Sequence, residues 1–318
     1  MRIATDPNRI PPQILARGCV VTIGNFDGVH LGHQALLRRA LEKARAAALP
    51  SVVVTFSPHP LRVIRGEVAP PLLMALPRKL RCFDDLGFHL ALVFPFTPQI
   101  AASSPEDFAR NLFARTLQTK ELVIGYDYAF GKGRRGDAAL LARCGAQCGF
   151  SLEQLDPVFL DGDIVSSTRI RRALLAGDPA AAARLLGRPH AVDGEIIHGM
   201  DRGGKLLGFP TANLLLSDDL LLPRPGVYAV LAELPGTPSR LRGVANVGRN
   251  PTFGEGTLHV ETHLLDMCRD LYSQHLTVHF IRHLREERKF SSLPELTAQI
   301  NRDANAAREI LATLALKE

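Results

Sequence analysis

Long apolar runs are missing from this chain: none approaches the roughly 20 residues that a membrane-crossing helix requires. A bilayer is therefore not an expected partner. Cysteine is scarce, five in 318 residues, and Cys19, Cys82, Cys144, Cys148 and Cys268 follow neither a metal-ligand nor a disulfide spacing. The one close pair, Cys144 and Cys148, lies in an Ala- and Leu-rich helical segment. Residues 1–17 carry Asp6 and several prolines without an uninterrupted apolar stretch, unlike a secretory signal. Free thiols in a reducing compartment, and hence a cytoplasmic location, are the expectation. Runs of lysine or arginine longer than a few residues are also absent, and the aromatics do not alternate with basic residues as a nucleic-acid stacking surface would. The net charge of +6 is thus spread thinly. It reads as a modest aid to capturing phosphates, with no nucleic acid as partner.

What is present organises into two halves. At 318 residues the chain is long for one core and comfortable for two domains. Apolar strand candidates at 19–24, 51–56, 90–94 and 121–125 alternate with helical stretches at 32–48, 77–86, 104–117, 137–148, 168–176 and 179–186. The third helix has a marked start, with Ser104 as cap, Pro105 in the first turn and Asp107 completing a capping box. This alternation predicts an α/β domain with a parallel sheet covered on both faces. Ligands bind such sheets beyond the carboxyl ends of the strands, where loops 24–33, 57–60, 94–97 and 125–131 fall. Composition changes after Gly187. From there, valine-rich pieces at 192–198, 226–234, 241–247, 258–265 and 276–281 are separated by Gly, Pro and Asn turns, which predicts an antiparallel sheet or small barrel. A last helix over about 292–315 opens at Ser292 with Glu295 three residues on. The expected domains are 1–187 and 188–318.

Residues 24–33 read Gly24-Asn25-Phe26-Asp27-Gly28-Val29-His30-Leu31-Gly32-His33 and follow the buried-strand run of Val20, Val21 and Ile23. His30 and His33 thus sit where a strand turns into a helix. A helix start offers unpaired N–H groups and the positive end of a dipole, so anions bind there. Gly32 lets backbone approach a ligand, and two imidazoles can stabilise charge that develops on a nucleotide phosphate. Two histidines three apart could otherwise be core residues or half of a zinc site.

Three further segments bear on the same chemistry. In Ser57-Pro58-His59-Pro60 two prolines pre-set a stiff turn that suits the wall of a flat pocket, or is an ordinary turn. Gly125-Tyr126-Asp127-Tyr128-Ala129-Phe130-Gly131 combines aromatic faces with one carboxylate, as a heterocycle needs, although Tyr126 or Tyr128 could equally be core. In Ser166-Ser167-Thr168-Arg169-Ile170-Arg171, Ser167 or Thr168 can cap a helix and donate to phosphate, with Arg169 or Arg171 adding a planar cation. A capped, solvated helix is the alternative.

Together these motifs closely resemble the adenylyltransferase module of the bacterial bifunctional riboflavin kinase/FAD synthetases, in family order over nearly all of residues 15–187. The resemblance implies a Rossmann-like nucleotidyltransferase domain. It implies that His30 and His33 contact nucleotide phosphates in a pocket built by Gly24, Asn25, Phe26, Asp27 and Gly32, and that Ser167, Thr168 and Arg171 form a second phosphate motif. Pro58, His59, Pro60, Asp127 and Phe130 match positions around the flavin. Ser57 and Tyr126 depart from the family, which often has an acidic residue at each place.

In the second half, residues 198–213 place Gly199, Gly203, Gly204 and Gly208 around Arg202 and Lys205, a loop whose backbone can lie against phosphates. It is not a Walker motif. Thr211 and Asn213 supply neutral oxygens two residues apart, on the same side of an extended segment, as two ligands of hydrated Mg²⁺ should be. Glu261, amid the strand positions of Leu258-His259-Val260-Glu261-Thr262-His263-Leu264, could accept the proton of a substrate hydroxyl or be an exposed strand glutamate. These segments resemble the riboflavin kinase module of the same family over about residues 188–315. Arg202-Gly203-Gly204-Lys205 departs from it, being one residue longer than the usual pattern.

The resemblance implies phosphorylation of riboflavin to FMN in the C-terminal domain, with Thr211 and Asn213 on MgATP and Glu261 as base. It also implies adenylylation of FMN to FAD with pyrophosphate release in the N-terminal domain, with His30, His33 and Arg171 stabilising charge. ATP, riboflavin and FMN are the expected small-molecule partners of a monomer or weak homo-oligomer. Three rivals stand beside this reading: a kinase with a decayed first domain, an adenylyltransferase for another substrate, and a basic nucleic-acid-binding protein.

Overall fold

The computed structural model describes residues 1–197, 211–237, 239–249, 258–265, 267 and 271–313. Packing divides the chain into two compact units, residues 1–70 with 76–166 and residues 71–75 with 167–318.

The first unit is built on six strands, β1 (Arg2–Ala4), β2 (Cys19–Ile23), β3 (Ser51–Ser57), β4 (Leu90–Pro95), β5 (Thr119–Gly125) and β6 (Ser151–Leu155). All pair in parallel in the order β1-β4-β3-β2-β5-β6. Every residue of β2 is buried, Thr22 included, because both faces of the sheet are covered by helices. In chain order the helices are α1 (Pro12–Leu15), α2 (Leu31–Ala46), α3 (Pro60–Arg65), α4 (Leu76–Leu86), α5 (Pro98–Ala102), α6 (Pro105–Phe108) and α7 (Ala138–Cys148). The short strands β7 (Phe159–Leu160) and β8 (Asp163–Ile164) form a separate antiparallel pair.

Ser104 caps α6 as expected, its hydroxyl accepting from the Asp107 N–H at 3.0 Å. The Asp107 carboxylate accepts at 2.7 Å from that hydroxyl, and not from the backbone N–H that a capping box would use. The helical stretch expected over 104–117 forms, but in two windings. Beyond Phe108 the chain widens into a π-helix over Ala109–Thr116, whose turn brings Ala109, Leu112 and Phe113 into the core together.

The second unit begins with α8 (Ser167–Leu175) and α9 (Pro179–Leu186), so by packing these helices fall on the far side of a division at 166/167 although composition changes only at 187. The Leu174 carbonyl accepts from the Arg224 N–H at 3.0 Å, and α9 packs on β9 and β14 of the barrel described next. Its strands are β9 (His190–Ile197), β10 (Ala212–Leu215), β11 (Gly226–Glu233), β12 (Leu241–Arg249), β13 (Leu258–Leu264) and β14 (His275–Arg285). They close an antiparallel barrel in the order β10-β13-β12-β11-β14-β9, with β9 pairing back onto β10. Val192, Val230, Val247, Val260, Val278 and Phe280 fill the core. The final helix, α10 (Leu293–Ala312), is capped by Ser292 and lays Ala304, Ala307 and Leu311 against Ala229 and Leu265 on the outside of the sheet.

Candidate active sites

Because β2, β3, β4 and β5 are parallel, the loops that follow them lie at one edge of the sheet. The loop after β2 turns sharply: Phe26 and Val29 adopt positive φ of 49° and 42° and Gly28 of 81°. Phe26 folds inward, fully buried, with its ring against Gly24, where a Cβ would stand 3.1 Å from it. His30 is then the N-cap of α2, and its Nδ1 accepts from the His33 N–H at 3.2 Å. With Nδ1 an acceptor, the neutral imidazole carries its proton on Nε2. The two imidazoles stack at 3.6 Å, 17° apart in plane. Gly32 makes this close approach possible, since a Cβ there would stand 3.2 Å from the His30 ring. The same Cβ would stand 3.6 Å from the Val165 carbonyl, so the segment leading to Ser167 passes beside this helix start. The result is two stacked imidazoles at the positive end of a helix, the kind of place where anions can bind.

Of the other expected residues in this unit, His59 caps α3, its Nδ1 accepting from the Leu61 N–H at 3.2 Å, and Pro60 begins that helix. Asp127 is exposed in the loop after β5. Phe130 is buried beneath it, stacked on Tyr128 at 5.5 Å and tilted on Phe108 at 5.7 Å. The Tyr128 hydroxyl is buried without a hydrogen-bond partner among the described residues, and burial pushes its pKa far above the usual tyrosine value.

Neither Ser167 nor Thr168, the two residues expected as cap, precedes α8: the helix begins at Ser167 itself, so both stand in its first turn. The Arg171 Nε–H donates to the Pro71 carbonyl at 2.8 Å, which fixes the plane of the guanidinium.

Burial along β13 alternates, with Val260, Thr262 and Leu264 inward, so His259, Glu261 and His263 share the outer face. Glu261 is paired directly with Asn213 on β10 and with Asn246 on β12, making one cross-strand row of three polar side chains. Asn213 is only 7 % exposed, and its Oδ1 is buried with no hydrogen-bond partner among the described residues. An orphaned carbonyl oxygen there suits a hard cation that takes neutral oxygens, and Thr211 immediately precedes β10. The Glu261 carboxylate is held by His259 Nε2 at 3.2 Å, and the Asn246 amide donates to Glu287 at 3.1 Å. Gly199, Arg202, Gly203, Lys205 and Gly208 lie outside the described residues.

Two residues that the sequence did not mark stand beside these sites. Lys79 of α4 is 6 % exposed and donates to the Asn25 carbonyl at 2.8 Å. Asn246 joins the Glu261 row only because β12 and β13 are in register. Among the described residues no group of three His, Cys, Asp or Glu side chains is placed to hold a metal, so the zinc alternative for His30 and His33 has no third ligand there.

A parallel-sheet unit with a phosphate-competent helix start, and a barrel unit with a polar row on its wall, define a two-domain nucleotide-using transferase. The family model for FAD synthetase matches residues 13–169 and that for riboflavin kinase residues 186–311. The chain belongs to the bifunctional riboflavin kinase/FMN adenylyltransferase family. It is 42 % identical over 301 residues to the enzyme so described from Escherichia coli strain K12, covering 93 % of this chain and 94 % of the relative. To that of Pseudomonas fluorescens it is 43 % identical over 297 residues, at the same coverage. A solved structure from Streptococcus pneumoniae, described as a macrolide-efflux protein, has a TM-score of 0.80 and 30 % identity, covering 96 % of this chain and 98 % of the other. No described helix here is long and apolar enough to cross a membrane, and the efflux description is that protein's alone.

Proposed function

We propose that the two activities of the family divide between the halves of this chain, riboflavin kinase in residues 188–318 and FMN adenylyltransferase in residues 1–187. In the first step the ribityl 5′-hydroxyl oxygen of riboflavin attacks the γ-phosphorus of ATP, Glu261 takes the hydroxyl proton, and ADP leaves. Thr211 and Asn213 would hold Mg²⁺, which when bound neutralises phosphate charge. The glycine loop with Arg202 and Lys205 would lie along the phosphates. In the second step a phosphate oxygen of FMN attacks the α-phosphorus of another ATP and pyrophosphate leaves. The helix start of α2, the His30 Nε2–H and His33 stabilise the charge on the phosphate oxygens. Ser167, Thr168 and Arg171 are assigned to nucleotide phosphates, and Pro58, His59, Pro60, Asp127 and Phe130 to the flavin. The reading takes ATP, riboflavin and FMN as partners, without nucleic acid or membrane. It places a monomer or weak homo-oligomer in the cytoplasm.

The observation that supports this reading is that each unit has its own polar cluster, stacked histidines on a helix start in one and the Asn213–Glu261–Asn246 row in the other. The test is a product assay with riboflavin, ATP and Mg²⁺. The wild-type chain yields FMN and then FAD. His30→Ala with His33→Ala stops the sequence at FMN. Glu261→Gln loses about 10²- to 10⁴-fold in FMN formation, yet makes FAD from added FMN. Loss of the same step in both variants refutes the division.

A further inference from the structure

We infer that Lys79 is a positioning residue for adenylyl transfer, part of a brace by which α4 holds the histidine loop in its working shape. The inference rests on the reading that His30 and His33 face nucleotide phosphates. Helix α4 buries two residues among charged neighbours, Lys79 and Phe83. They stand four apart and so share a face. Both are turned to the loop after β2. The Lys79 ammonium donates to the Asn25 carbonyl at 2.8 Å, and the Thr55 hydroxyl from β3 reaches the same oxygen at 3.3 Å. Phe83 meets the Phe26 ring edge to face at 5.5 Å, and Phe26 in turn meets His33 at 5.4 Å in the same manner. His33 stacks on His30. A continuous set of contacts therefore runs from α4 through Asn25 and Phe26 to both imidazoles.

The loop needs such support. Phe26 and Val29 hold left-handed backbone conformations that are costly for non-glycine residues and persist only where surroundings over-determine them. A buried ammonium is itself costly and is tolerated where a fixed acceptor meets it. Burial lowers the Lys79 pKa from the usual lysine value, and the carboxylate of Asp27, itself buried, opposes that shift. The Lys79 ammonium is directed to the Asn25 carbonyl, so its effect passes through the loop.

The experiment compares variants of the full chain in two assays, FAD from FMN and FMN from riboflavin. Lys79→Met is expected to lower kcat for FAD formation about ten- to a hundredfold, the scale of a catalytic group misplaced by about 1 Å. KM for ATP should change less than about threefold and FMN formation should be unchanged. Leu141→Ala, at a buried core position of α7, controls for lost stability: matched in Tm, it keeps kcat per folded molecule. If Lys79→Met gives too little folded protein, Thr55→Val carries the test with a several-fold fall in the same constant. An unchanged kcat in the tested variant, or an equal fall in Leu141→Ala, overturns the brace. The double histidine variant separates the two ideas. If it loses FAD formation while the Lys79 variant keeps it, the brace alone is wrong; if it still makes FAD, the phosphate reading fails.

Discussion

On the proposed reading, the histidine site and the barrel site approach phosphate chemistry with opposite materials. In the first unit the working groups come from one continuous stretch, and the backbone supplies much of the chemistry: N–H groups at a helix start, positive φ at two non-glycine residues and a glycine that lets two imidazoles stack. In the second unit the working groups are side chains brought together across three strands, on a ladder whose hydrogen bonds fix their spacing. A site made of backbone is sensitive to single-atom changes in a loop. A site made of side chains on a closed ladder is sensitive to whatever opens the ladder.

The largest test of that contrast lies where α10 meets β14, outside the Glu261 row itself. Asp303 is 6 % exposed and takes three contacts of 2.8–3.1 Å from the Arg285 guanidinium. Asp303→Ala leaves a cation unpaired at the barrel and should cost about 3 kcal/mol. On heating, FMN formation should fail well before FAD formation from added FMN; simultaneous loss would break the contrast. Next comes Gly32→Ala. Its methyl meets the His30 ring at 3.2 Å, so FAD formation should fall roughly tenfold, about 1.4 kcal/mol, with the kinase rate untouched. Smaller still is Tyr128→Phe. Removing a buried hydroxyl without a described partner should leave thermal stability unchanged or raise it by up to about 1 kcal/mol, measured by denaturant melts.

The smallest effect concerns acid. Burial, aided by Arg224, holds the His283 pKa below the usual 6.5. Above pH 6.5 the ring is neutral folded or unfolded and adds no slope. Below it the unfolded chain takes up a proton that the folded barrel resists, so stability falls as pH drops towards the lowered value. His283→Gln should flatten that part of the Tm–pH curve. An unchanged slope would place the titration elsewhere.

The sequence made the first site legible because it is contiguous: glycines, capping residue and histidines follow one another over residues 24–33. The strands β2 to β5 were legible for a related reason, being short runs of Val, Leu and Ile buried on both faces. By contrast β1 has three residues with little burial, and β6, Ser-Leu-Glu-Gln-Leu, is a polar edge. Neither carries the apolar signal that marks a central strand. Lys79 was illegible because Arg78, Lys79 and Arg81 look alike in sequence, and only packing decides which is buried. The row at Glu261 was half legible. Thr211 and Asn213 show their spacing on one strand, but Asn246 enters through register, which no local pattern encodes. The division at 166/167 was hidden likewise, because α8 and α9 have ordinary helical composition and only their docking assigns them to the second unit.

Because β9 pairs back onto β10, the barrel has no terminal strand from which to peel. Its amide protons should therefore exchange with deuterium as one block, whereas those of β1 and β6, outermost in the open sheet, should exchange early and one strand at a time.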